Sequence, residues 1–220
     1  MAFDWSQHRG CGILGANVGA FGRQITLHPQ SGHQIVDQYY QAELALLRQA
    51  FGVFPGFSFF DDSQSPNAFA TTSPVVPGGV DGSVVFGKTL LQQEISKFGH
   101  DTAGAAIAGI MAHEFAHIVQ FKNGLGGGAV PPKELQADCL AGWYMGEKQI
   151  HLWGPHGVQI AIRSLFTSLF DKGNYNWNNP NWHGTPEQRA KMGMVGWQLA
   201  LSGQHNPSVA FQQCRQAVGF

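Results

Sequence analysis

Residues 111–121 read MAHEFAHIVQF and place His113 and His117 four residues apart, with Glu114 beside the first. Residues at that spacing lie one turn above each other on the same face of an α-helix. The run just before them, residues 103–110, is AGAAIAGI: small, apolar and uncharged. It predicts a buried helix that starts near Asp101 or Thr102 and stops at Asn123-Gly124. A buried helix that carries His, Glu and His needs partners for them, because burying unpaired polar groups is costly. Two stacked imidazoles can bind one zinc ion together. A carboxylate next to the first can take a proton from water at the metal, as the general base of a hydrolase. An amphipathic helix with two ordinary histidines would show the same letters; the uncharged run ahead of them favours the metal.

Catalytic zinc usually takes three protein ligands and leaves one position open. After Pro131-Pro132, which suits the first turn of a helix, the chain reads Lys133-Glu134-Leu135-Gln136-Ala137-Asp138. Glu134 and Asp138 share a face, among residues with the character of a core. The favoured reading makes Glu134 the third ligand and Asp138 the acceptor behind a ligand imidazole, fixing its tautomer. A solvated helix face would carry the same pair.

Composition bounds the other possibilities. The chain has 220 residues, 12% of them charged, with a net charge of −1. No basic field or stripe is present for nucleic acid or an anionic membrane surface. No apolar run approaches the roughly 18 residues of a membrane span. The 29 glycines and the many Asn and Gln residues lean towards an exported protein, periplasmic or secreted, although the N-terminus lacks the order of a signal peptide. Cys11, Cys139 and Cys214 form no metal-binding pattern; one pair can be a disulfide, or all three can be free thiols.

Taken in order, residues 1–31 are glycine-rich and irregular; Gly12 and Gly15 lack the context of a phosphate loop. Residues 32–50 have helical periodicity, with Ile35, Tyr39, Ala42, Leu46 and Ala50 on one stripe. Short strands are expected at 56–61, 67–71 and 83–86, between prolines and glycines, followed by a helix over 88–97. Beyond the HExxH helix, helices are expected at 133–150, 158–170 and 186–201, with a polar, aromatic loop over 173–184. No repeat or linker divides the chain. The expected organisation is one α+β domain over 1–220: an N-terminal segment and helix (1–55), a small sheet and short helix (56–100), and the zinc-site and C-terminal helices (101–220).

HEFAH followed by ELQAD resembles the gluzincin metallopeptidases. HEFAH, ELQADCLAG and, further on, HGTPEQR together resemble the bacterial neutral zinc metallopeptidases. NAFA and GSVVFGKTLL ahead of the HExxH helix are similar to the heat-shock and prenyl-protein endopeptidases of the same group. The resemblance covers residues 60–195 or so. It implies a zincin-like fold, mainly helical, with a small β-sheet beside the HExxH helix. It also implies a zinc ion, peptide-bond hydrolysis, Glu134 as ligand, and Asp138 as the partner of His113. The membrane helices of the prenyl-protein relatives have no counterpart here, which points away from membrane substrates. The first 50 residues match no part of these families.

Two further features extend the reading. Asn67, Ala68, Phe69 and Ala70 look like the strand above the zinc in such relatives, where an exposed edge would pair with an extended peptide; an ordinary sheet strand is the alternative. His183 lies between a loop and a helix, where a donor would stabilise the oxyanion of a tetrahedral intermediate, and Arg189 would serve instead or orient other groups. His183 capping the helix is the bland alternative. His8, His28, His33, His100, His151, His156 and His205 read as structural. The function expected is a zinc-dependent metallopeptidase, an endopeptidase that hydrolyses peptide bonds of peptide or protein substrates through a zinc-activated water; a non-catalytic or structural zinc-binding protein and a zinc hydrolase of non-peptide amides are the alternatives.

Overall fold

A computed structural model of the chain describes residues 12–13, 26–63, 66–125, 130–153, 158–173, 175 and 182–219. The expected reading of most of residues 1–31, and parts of the loops over 123–130 and 173–184, lies outside them. The fold is α+β and mainly helical, with one small mixed sheet. The described residues form two compact units, Met1–Gln93 with His117–Gly128, and Glu94–Ala116 with Ala129–Phe220.

The first unit holds the sheet, in the order β1-β4-β5-β3-β2. Its strands are β1 (Gly12–Ile13), β2 (Leu27–His28), β3 (Gly56–Phe60), β4 (Ala68–Thr71) and β5 (Ser83–Gly87). β3, β4 and β5 fall where the sequence expects strands; the two-residue β1 and β2 are additions, too short to carry a pattern. β4 runs antiparallel to β5 on one side, and on the other pairs in parallel with β1, Phe69 opposite Gly12 and Ala70 opposite Ile13. The expected exposed edge at Asn67–Ala70 is therefore corrected in part: a strand far away in sequence pairs with Phe69 and Ala70, and all four residues are buried. Phe60, Phe69, Val76 and Val85 form an apolar cluster on this sheet.

Helix α1 (Gln34–Phe51) ends at Gly52, whose φ of 63° suits a residue without a Cβ. Its buried residues are Leu44, Leu47 and Phe51, whereas Ile35 and Tyr39 are exposed. The expected stripe thus marks the wrong face. Tyr40 packs on Phe57 and Phe59 of β3 with ring centroids 5.8 and 5.2 Å away, so the inward face follows Tyr40, Leu44, Leu47 and Phe51. Helix α2 (Lys88–Phe98) starts directly after β5. Buried Asp62 holds that start, accepting from the backbone N–H groups of Asn67, Thr89 and Leu90 at 2.9, 2.6 and 3.0 Å. A Cβ at Gly87 would lie 1.8 Å from the Asp62 carboxylate, so only glycine fits there.

Helix α3 (His100–Lys122) carries the HExxH residues and begins one residue after α2, across Gly99 with φ of 73°. Asp101 lies within its first turn instead of preceding it. By length and composition α3 is the one helix among the described residues apolar enough to cross a membrane, but 83% of that window is buried within the protein.

The second unit is helical. It contains α4 (Val130–Lys148), a π-helical turn (Gln149–Trp153), α5 (Val158–Lys172), α6 (Pro186–Leu201) and α7 (Pro207–Ala217). α6 has a capping box, with Thr185 accepting from the Gln188 N–H and the Gln188 side chain accepting from the Thr185 N–H. α4 and α6 approach through glycines. A Cβ at Gly142 would lie 1.9 Å from the Gly193 carbonyl oxygen, and one at Gly196 would lie 1.6 Å from that of Cys139. α7 is absent from the sequence-derived helices. It is tied to α4 by a Cys139–Cys214 disulfide and by a hydrogen bond from the Gln136 amide to the Phe211 carbonyl.

Candidate metal centre

His113 and Glu114 are neighbours on α3 and His117 lies one turn further along it; none of the three is exposed. Glu134 and Asp138, one turn apart in the first half of α4, are equally buried. One donor atom each from His113, His117 and Glu134 lie within 4.8 Å of one another. That spacing lets the three converge on a single ion. The structure therefore brings together all three residues expected to hold the metal.

Each imidazole is oriented from behind. His113 Nδ1 lies 2.8 Å from Asp138 Oδ1, while its Nε2 faces Glu134 Oε2 at 3.3 Å. Asp138 therefore stands behind His113, the position implied for it by the resemblance. His117 Nδ1 lies 2.8 Å from the side-chain oxygen of buried Gln120. Nε2 is thus the nitrogen each ring offers to an ion. Gln120 was not among the expected site residues. Its place three positions after His117, on the same helix face, is the signal that identifies it.

Arg189 and His183 complete the surroundings. Arg189, nearly fully buried, donates from Nε to Asp138 Oδ2 and from Nη2 to Asp138 Oδ1, both at 2.7 Å. This fork-on-carboxylate geometry makes Arg189 a positioning residue. Expected as an oxyanion donor, a substrate contact or a group that orients others, Arg189 has its Nε and Nη2 engaged by Asp138. His183 Nδ1 lies 3.0 Å from Glu134 Oε2, and its side chain keeps 10% exposure. It belongs to the neighbourhood of the centre but is not one of the three converging donors. Asn67–Ala70 are engaged in the sheet. The Asn67 N–H donates to Asp62, and its side-chain oxygen accepts from the Ala68 N–H.

The electrostatics favour a cation. Burial, the largest single influence on His113, opposes its protonation. The hydrogen bond and charge of Asp138, then those of Glu134, outweigh it and raise the pKa to about 9. Burial likewise opposes ionisation of Asp138, but the Arg189 charge and hydrogen bonds, with His113, hold it below the usual carboxylate range. The carboxylates that raise the His113 pKa likewise favour positive charge at the spot where the three donors meet. Two imidazoles and a carboxylate suit zinc and its transition-metal neighbours, not calcium or magnesium. The residues present fit a zinc ion held by His113, His117 and Glu134.

Compared with known protein families, curated proteins and solved structures, the chain matches none.

Proposed function

We propose that the protein is a zinc-dependent metallopeptidase of zincin-like fold that hydrolyses peptide bonds in protein substrates. The observation that carries this reading is the convergence of His113, His117 and Glu134, all buried, beside a fourth buried residue, Glu114, that can act as a base. Zinc, when bound, supplies Lewis acidity towards the scissile carbonyl and lowers the pKa of water to about 7. Glu114 takes the proton from the attacking water and passes it to the leaving amine. Asp138 holds His113 in the tautomer that offers Nε2, and Arg189 holds Asp138. His183, the partly exposed member, donates a hydrogen bond to the oxyanion as negative charge develops there. The Cys139–Cys214 disulfide supports an oxidising, extracytoplasmic compartment.

The test is Glu114→Gln, which preserves size and hydrogen bonding but removes the base. The expected result is unchanged zinc content with activity on an unfolded polypeptide lowered by about 100-fold or more. Full activity in this variant would remove Glu114 from the mechanism. One observation favours a second reading, a closed zinc site without catalysis: the approach of His183 to Glu134 at 3.0 Å, from where it could become a fourth donor. Zinc-loaded wild-type protein that loses metal affinity on His183→Ala, and cleaves neither peptides nor other amides, would select that reading.

A further inference from the structure

A second group of metal-ligating side chains lies in the helical unit, on residues that the sequence gives no reason to separate from ordinary surface positions. Glu147 is in the last turn of α4, His151 in the π-helical turn that follows, and His205 in the loop between α6 and α7. One donor atom from each lies within 4.8 Å of the other two. His205 Nδ1 is 2.8 Å from Glu147 Oε1, and His151 Nε2 is 3.5 Å from Glu147 Oε2. Two donors bound tetrahedrally to one zinc, each at about 2.0–2.1 Å, stand roughly 3.3 Å apart, so small side-chain rotations bring this trio to ligand spacing.

The backbone on both sides is held in place. Gln149, two residues before His151, accepts a 2.7 Å hydrogen bond from the Trp197 indole. The carbonyl of Gln204, the residue before His205, accepts one of the same length from the Trp143 indole. The Cys139–Cys214 disulfide fixes α7, which begins two residues after His205, to α4. A π-helical turn at the end of an α-helix is itself uncommon and recurs at functional sites. The Glu147 side chain is largely buried while those of His151 and His205 are 61% and 48% exposed, so an ion can enter from solvent and keep water in its remaining positions.

We propose that Glu147, His151 and His205 form a second binding site for a transition-metal ion of the zinc class, which clips the α6–α7 loop to the end of α4. Two imidazoles and one carboxylate select zinc, copper or nickel over calcium and magnesium. The site does not depend on the proposed hydrolysis and shares no residue with the first centre.

The probe is Zn2+ itself, titrated calorimetrically into the chelator-treated full chain and checked by metal analysis after dialysis against micromolar free zinc. Wild-type protein is expected to bind one more ion per chain than the double variant His151→Ala/His205→Ala. His113→Ala/His117→Ala is expected to lose the other ion and keep this one. Because both surface histidines are exposed, the double variant should keep the wild-type circular dichroism spectrum; Glu147→Gln provides an independent disruption. Equal zinc stoichiometry in wild type, the double variant and Glu147→Gln would overturn the proposal, whatever the peptidase assays show.

Discussion

Arg189 spends its Nε and Nη2 donors on Asp138, and Asp138 in turn touches His113. Removing the guanidinium leaves a buried carboxylate without its main counter-charge, a loss of about 3–5 kcal/mol. Arg189→Met is therefore expected to lower the unfolding free energy from denaturant titration by that amount and to weaken zinc binding by about 10–100-fold, because His113 loses its orientation. The pH dependence follows from the lowered pKa of Asp138. A carboxylate with a depressed folded pKa adds stability that is present above its ordinary value of about 3.9 and is lost as pH falls through the folded value. In Arg189→Met the folded value rises, so the acid arm of the stability profile moves to higher pH. Urea titrations of both proteins across the acid range check this; superimposable acid arms would show that Arg189 does not set the Asp138 charge.

Among the helices, the α4–α6 pair makes the sharpest demand on sequence, because glycines let the two backbones approach. Gly196→Ala should gain about 1 kcal/mol from helix propensity but loses more, since its Cβ would meet the Cys139 carbonyl at 1.6 Å and backbone cannot rotate aside. A net loss of about 1–3 kcal/mol is expected in chemical denaturation. Gly104→Ala in α3 is the control: nothing lies within 4 Å of the added methyl, so stabilisation of about 0.5–1 kcal/mol is expected. The same elements show what the sequence makes legible. α3 and α4 can be read because the spacings 113/117 and 134/138 encode shared faces whatever packs around them. The face of α1 cannot, since apolar residues lie on both sides and only the packing of Tyr40 against β3 decides between them. The covering of β4 by β1 depends on two residues more than 50 positions away, a pairing that no local pattern reports.

At the scale of the whole molecule, the Cys139–Cys214 bond closes a loop with a sequence separation of 75 residues. Closing a loop of that length restricts the unfolded chain by about 4 kcal/mol. Cys214→Ser is expected to lower the melting temperature by on the order of 10 °C, and adding reductant to unfolded wild-type protein should have the same effect on refolded stability. A melting temperature indifferent to the substitution would show that the bond does not constrain the chain. The proposed chemistry rests on one ion held by His113, His117 and Glu134, and the most direct measurement is hydrolysis of an unfolded polypeptide by one preparation in three states: as purified, after chelation, and after zinc is restored. Activity that disappears with the metal and returns with zinc is the expected result. Cleavage that survives complete removal of the metal, or zinc-saturated protein that cleaves nothing, would contradict it.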